Sequence, residues 1–332
     1  MKKIMLIFSF FILFTHSVNS QSLKCSYCGQ PIKQSYILFE DKPYHDNCYR
    51  NYVQPRCAKC NKPIDGKFIM KDGKKYHEKC YNQSVALKCD LCGEVINSEY
   101  IIDYWGNNYH AYHEDTESRC DYCGRFISGN LSKGGFKYND GRVICGICES
   151  TSVKSLTKAQ SILSSVKSSL QSFGVSINLY RIGLILVDKG ELKTIAAENG
   201  SYTDPRGFAK YSYWKTGSET TKREFTIYIL NGMPLKEFEA VAAHELMHIW
   251  QYINAPEKLE PQLAEGSAEY VSFLHMSKQH DDYSNYIVYK IEYNDDNIYG
   301  DGFRRVKRIV DKKGLNYLLN HLRKSNKFLQ GY

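Results

Sequence analysis

Twelve cysteines return at fixed intervals through the first half of the chain, and no other feature limits its fold as tightly. Cys25-x2-Cys28 is followed after sixteen residues by His45-x2-Cys48, and Cys57, Cys60, His77 and Cys80 repeat that spacing. A third unit has Cys89, Cys92, His110 and His113, with histidine where the fourth cysteine is expected. The fourth, Cys120, Cys123, Cys145 and Cys148, is all cysteine with a longer gap. Each two-residue gap makes a tight knuckle presenting two ligands to one tetrahedral ion, so the pattern predicts four structural zinc sites. Tyr36-Ile37-Leu38-Phe39 and Lys67-Phe68-Ile69-Met70 read as short strands, so each unit is expected to be a pair of hairpins around its metal. Units this small bury too little apolar surface to fold without the ion. A disulfide framework is the competing reading, but it does not explain histidines recurring at ligand spacing.

The ligand order resembles that of LIM domains over residues 25 to 149, enough for two such domains. LIM domains leave two residues between paired modules, whereas eight separate Cys48 from Cys57 and Cys80 from Cys89, and six separate His113 from Cys120. A string of four zinc ribbons is therefore expected rather than rigid pairs. The resemblance implies docking of a protein partner or substrate; a structural spacer is the plainer alternative.

At the N-terminus, Lys2-Lys3, the apolar run Ile4 to Phe14 and the small polar end Val18-Asn19-Ser20 have the three parts of a signal peptide. The expected organisation is a signal at 1–20, zinc ribbons at 21–150 and a second domain at 151–332. The mature chain is expected to be secreted or periplasmic, with no membrane attachment after cleavage. The formal charge of +8 is no argument for nucleic acid. Losing Lys2 and Lys3 lowers it to about +6, and four zinc ions on twelve thiolates bring it near +2.

After Glu149 the cysteines end. Thr157 to Phe173 reads as an amphipathic helix with a capping box at Thr157 and Gln160. Leu179 to Val187 and Glu224 to Leu230 read as strands, and Asn199 to Thr221 as a long surface excursion. The helix following Pro234 carries His244-Glu245-Leu246-Met247-His248. Four residues apart, His244 and His248 leave one helix face and can share a metal, while Glu245 can act as general base on a water there. A hydrolytic zinc needs a third protein ligand and an open position. Glu265, on the next helix and followed by Gly266, is the expected third ligand. Glu269, one turn on, is expected to accept the second ring proton of a ligand histidine. Tyr299, Arg304, His275 and His280 are all candidates for the oxyanion donor. Glu224 to Leu230 is the expected sheet edge for an extended peptide.

The chain also resembles the plant organ-growth-regulating LIM-domain metallopeptidases, the ubiquitin-activated peptidases. The resemblance rests on Ile227-Tyr-Ile-Leu-Asn-Gly-Met-Pro234, the His244 to Trp250 segment, Leu263-Ala-Glu-Gly266, Tyr299-Gly-Asp-Gly-Phe-Arg304 and Lys313-Gly-Leu315, with a weaker match at Asp204-Pro-Arg-Gly207. It implies a gluzincin-like peptidase with His244, His248 and Glu265 on zinc, Glu245 as base, and Tyr299 to Arg304 near the site. No acidic ubiquitin-binding helix precedes Cys25, so chemistry and architecture are expected to carry over, not ubiquitin activation. The expected fold is α+β: small zinc hairpins followed by a mainly helical zincin domain with a small sheet. The expected function is zinc-dependent endopeptidase on peptides or proteins, with one catalytic and about four structural zinc ions. The alternative is a LIM-type binding protein whose second domain no longer cuts.

Overall fold

A computed structural model describes residues 6–7, 23–177, 180–200, 205–216, 219–256, 258–329 and 331. The expected signal segment falls almost wholly outside these residues. The chain divides into two compact units, residues 1–102 with 106–111, and residues 103–105 with 112–332. The fourth cysteine set thus belongs to the same unit as everything that follows it.

In the first unit, the zinc-ribbon spacing becomes repeated geometry. Tyr36–Phe39 pairs with Lys42–His45, Phe68–Lys71 with Lys74–Tyr76, and Tyr100–Ile102 with Asn108–His110, all antiparallel. Each knuckle closes with the fifth residue donating its amide to the first cysteine's carbonyl: Gly29 to Cys25, Asn61 to Cys57 and Gly93 to Cys89. That fifth residue has positive φ, a conformation glycine and asparagine adopt most readily. The apolar content is small. Cys25, Ile32, Phe39, Tyr44 and Tyr49 make one cluster, and Cys57, Ile64, Phe68, Tyr76 and Tyr81 the next. Five side chains apiece are too few to hold a fold without a crosslink or ion.

The second unit opens with the fourth hairpin, Gly135–Lys137 against Val143–Cys145. Helix α1 (Leu156–Ser172) follows, buried through Ala159, Leu163, Val166 and Leu170. Its cap is Ser155, whose hydroxyl accepts from the Lys158 amide, not the expected Thr157. A three-stranded sheet is built from β1 (Ile182–Val187), β2 (Gly207–Thr216) and β3 (Glu219–Leu230) in the order β1-β3-β2. Strand β3 runs parallel to β1 and antiparallel to β2. Two sequence expectations change here. The supposed surface excursion contains β2, whose mixed polar and aromatic residues mask its strand period. Glu224 to Leu230 lies in the central strand, so the edges of the sheet are β1 and β2. Helix α2 (Lys189–Glu198), capped by Asp188, crosses between β1 and β2.

Helix α3 (Leu235–Asn254) runs through the core with Phe238, Ala242, Ala243, Leu246, Ile249 and Trp250 all buried. Helices α4 (Pro261–Ser277), α5 (Asp282–Glu292), α6 (Tyr299–Lys313) and α7 (Leu315–Leu322) complete the unit. Helices α4 and α6 meet backbone to backbone. A Cβ on Gly266 would lie 2.2 Å from the Gly302 carbonyl carbon, and one on Gly302 would lie 2.4 Å from the Gln262 oxygen. Neither backbone can move aside without dragging its helix. Gly266→Ala and Gly302→Ala are each expected to cost about 1–3 kcal/mol, as overpacking does. Urea denaturation of the full chain measures this; an unchanged midpoint for both would mean the helices do not touch there.

Candidate functional site

The ligand sets found in the sequence come together. Cys25, Cys28, His45 and Cys48 have donor atoms within 4.8 Å of one another, as do Cys57, Cys60, His77 and Cys80, and Cys120, Cys123, Cys145 and Cys148. Of the third set, Cys89, Cys92 and His110 lie in the first unit, with Cys92 Sγ 3.5 Å from His110 Nδ1, while His113 is buried in the second. The cysteines are free thiols, and Cys123 and Cys145 stand 3.6 Å apart, far beyond a disulfide bond of about 2.05 Å. His45 Nε2 lies 3.3 Å from Pro31 O, His77 Nε2 2.9 Å from Pro63 O and His110 Nε2 3.3 Å from Val95 O. A carbonyl there accepts a hydrogen bond from Nε2–H and leaves Nδ1 as the metal ligand. Against burial, which raises it, the backbone N–H groups of Cys28, His45 and Tyr27 bring the Cys25 thiol down to about 6. Cys57 and Cys89 are lowered to the same value in the same way. One thiolate per module is stabilised before any ion arrives, while in the first two modules burial and the neighbouring thiols push Cys48 and Cys80 up to about 11. The clustered Cys and His ligands indicate zinc binding at several of these sites.

Within the second unit, the fourth knuckle is bonded to the helices behind it. Glu237, in the first turn of α3 and buried, pairs with Arg206 at 2.8 Å and with Lys290 of α5. The same two cations reach the knuckle's carbonyls, Arg206 donating to Asp121 O at 3.2 Å and Lys290 to Tyr122 O at 3.5 Å. Tyr283 Oη lies 3.6 Å from Cys148 Sγ and 3.5 Å from Glu237. Arg142 donates to Asn231 O at 2.8 Å, just ahead of α3. None of these links was legible in the sequence, because their partners lie 31 to 168 residues apart.

On α3, the four-residue spacing brings His244 Nε2 within 3.0 Å of His248 Nε2. Glu265 Oε2, from α4, lies 3.2 Å from the first and 3.3 Å from the second. A tetrahedral zinc with bonds of about 2.1 Å needs ligand atoms about 3.4 Å apart, so this triangle fits one face of its shell. Each histidine is held from behind. His244 Nδ1 lies 3.1 Å from Glu269, and His248 Nδ1 lies 2.9 Å from the Gln251 Oε1. Gln251 is in turn fixed by its amide group, which donates to Ala264 O at 2.8 Å and Ser267 Oγ at 2.9 Å. Sequence reasoning missed Gln251, although its place three residues after His248 was a usable signal. Burial disfavours charge on His244, but Glu265 and Glu269 together hold its pKa well above the usual value. His248 is raised against burial by Glu265. Glu265, which burial pushes up, is drawn far below the carboxylate range by His248 and His244.

Glu245 is buried beside the pair, and burial pushes its carboxyl up while His244 and His248 restrain it. Strand β2 touches it directly: a Cβ on Gly207 would lie 2.8 Å from Glu245 Oε1, so only glycine lets the strand come this close. Two clefts diverge from this point, of about 500 and 430 Å³, and Gly207, His244, Glu245 and Tyr299 line both. Of the four oxyanion candidates only Tyr299 faces them, its ring 6.2 Å from that of His244. Arg304 is bonded to Asn294 O and Asp301 instead. His275 is buried on Ser169 and Gln279, and His280 stands at a left-handed turn before α5. The Tyr299-Gly-Asp-Gly segment now has a physical reason. A Cβ on Gly300 would strike Asn294 O at 1.9 Å and one on Gly302 would strike α4, so both glycines let α6 carry Tyr299 to the site.

Zinc-binding LIM-like hairpins followed by a largely helical region with small sheets define the class of protein. Comparison with known proteins agrees. Residues 25–85 match the LIM domain family, and residues 179–281 and 267–325 match the DA1-like family, described as Protein DA1. LIM domain-containing protein HDR3 of Oryza sativa subsp. japonica is 24% identical over 372 aligned residues, covering 93% of this chain and 69% of its own length. Protein DA1-related 2 of Arabidopsis thaliana is 23% identical over 370, covering 93% of this chain and 65% of its own. Protein DA1-related 1 of the same plant is 26% identical over 135 residues, 24% of its length.

Protons and metal compete for the same three atoms. Because the histidine pKa values are raised, zinc binding near neutral pH must expel protons, and affinity falls as pH drops through the raised range. Calorimetry in buffers of different ionisation heat should show proton release at neutral pH, and none would contradict the geometry. Glu269→Gln and Gln251→Ala are expected to weaken zinc binding roughly 10–100-fold.

Proposed function

We propose that the chain is a zinc-dependent endopeptidase of the gluzincin type. The reading is carried by one observation: His244, His248 and Glu265 present three donor atoms at tetrahedral spacing, with Glu245 next to them at the meeting point of two clefts. The donor set of two imidazoles and a carboxylate suits zinc and leaves a position open. Zinc held there supplies Lewis acidity, acidifying water and polarising a carbonyl. Glu245 accepts the proton of the attacking water and returns it to the leaving amine, and its burial raises its basicity for that task. Tyr299 is the proposed donor to the carbonyl oxygen as charge develops there. Burial, then Glu265 and Glu245, raise its phenol, so it remains a neutral donor. An extended peptide would lie along β2, whose first residue, Gly207, lines both clefts.

The chain is further proposed to act outside the cytoplasm, secreted or periplasmic, on peptides or proteins rather than nucleic acids. The LIM-like hairpins of the first unit are proposed to dock a substrate or partner. A binding protein with a silent second domain has less support, because Glu245 and the residues behind both histidines are all present. Glu245→Gln is expected to retain zinc and lower kcat for peptide cleavage by about 10²–10⁴-fold. Metal analysis and a quenched-fluorescence peptide assay test this; equal turnover by wild type and variant would remove the mechanism.

A further inference from the structure

The larger cleft has a wall that the bond-breaking step does not use. At the two-residue period of a strand, Ala209, Tyr211 and Tyr213 share one face of β2, and all three line that cleft. Tyr211 is clamped between two other rings. It stacks on Phe225 of β3 at 5.1 Å and 12°, and on Tyr252 of α3 at 5.6 Å and 23°. Tyr252 lies one helical turn beyond His248, on the face of the histidine pair, and its hydroxyl donates to Ala209 O at 3.2 Å. Its ring is therefore fixed at both ends, yet 43% of the residue is open to the cleft. Phe208 and Leu259 extend the apolar lining. Among the described lining residues, Lys258 is the one formal charge outside the His–His–Glu cluster and Glu245.

The smaller cleft carries more charged residues, beside apolar ones of its own (Ala240, Val241, Ile287 and Ile291). Arg206, Glu237, Lys290 and Glu269 line it, and their charges are spent on one another and on His244. The stacked aromatic wall is thus the feature of the larger cleft that the smaller one lacks. A cleft of about 500 Å³ is roomy enough for the largest side chains. A stacked, hydrogen-bonded wall offers flat apolar area without first having to become ordered.

We propose that this cleft is the specificity pocket of the peptidase, taking an aromatic or large aliphatic substrate side chain beside the scissile bond against the Tyr211–Tyr252 stack. The proposal rests on the peptidase reading but has its own readout. Two fluorescent peptides are compared, identical except for Phe or Ala at one position. They are titrated into zinc-loaded full-length Glu245→Gln protein, and each is assayed for cleavage by wild type. The Phe peptide is expected to bind at least tenfold more tightly and to be cut next to the Phe. Tyr252→Ala is expected to lower the Phe-to-Ala ratio of kcat/KM roughly tenfold, and Tyr252→Phe to restore it. Equal binding of the two peptides, or a ratio unmoved by Tyr252→Ala, would overturn the pocket. Tighter Phe binding without any wild-type cleavage would uphold the pocket and remove the peptidase.

Discussion

The contact between Gly266 and Gly302 sets how closely α6, which carries Tyr299, stands to α4, which carries Glu265. The three candidate metal ligands come from two helices and the phenol beside them from a third, so the spacing of the helices decides whether they converge. Side chains between α4 and α6 would leave a gap that thermal motion can widen. Backbone against backbone leaves none, since neither carbonyl can rotate away. Glu265 precedes Gly266 by one residue and Tyr299 precedes Gly302 by three. Both are therefore positioned by the same crossing, within a turn of it. The chain gives up helix propensity for this, because glycine inside a helix costs about 1 kcal/mol relative to alanine. It does so at Gly266, Gly300 and Gly302, where the site needs close approach.

Helix α3 holds two buried carboxylates in opposite circumstances. Glu237 is surrounded by Arg206, Lys290 and Tyr283, so its charge is matched and its geometry set. Glu245, about two turns later, faces a cleft and has no cation side chain paired with it among the described contacts, only the nearby imidazoles. A buried carboxylate whose charge is fully compensated is a poor base, and one left partly uncompensated is a better one. The two side chains are chemically identical; their surroundings fix Glu237 in an ion network and leave Glu245 the one proposed to move protons.

Much of this was readable from residue spacing. The Cys and His intervals gave the hairpins and their ligand sets because a knuckle is a local structure, closed within five residues. His244, His248, Glu265 and Glu269 were legible because helical periodicity maps sequence distance directly onto a face. What the sequence hid were pairings across the chain. Strand β2 alternates no clear apolar face, since its aromatic residues line a cleft rather than fill a core. Helix α5 was missed because Asp282 to Glu292 is rich in tyrosine, which lies in half-exposed stacks instead of a plain apolar stripe. Gln251 was overlooked because glutamine on a helix is usually solvated; here Ser267 and Ala264 hold it in place.

The fourth cysteine set is where reading by repeat and reading by packing diverge. By spacing it is one more zinc ribbon in a series. By contact it belongs with the helices, its Cys120, Cys123, Cys145 and Cys148 continuous with the core that runs through Val153, Ala159 and Phe238. Its all-cysteine composition suits that position. An imidazole ligand needs a carbonyl or carboxylate for its second nitrogen, as Pro31 and Pro63 supply in the open modules, whereas a thiolate needs none and suits a buried site. With zinc bound, the knuckle is rigid, and its Asp121 and Tyr122 carbonyls become fixed acceptors for Arg206 and Lys290. Those cations fix Glu237, and Arg206 itself directly precedes Gly207, the glycine that lies on Glu245. Zinc held at the knuckle would therefore restrain, through Arg206, Glu237 and strand β2, the carboxylate proposed to move protons.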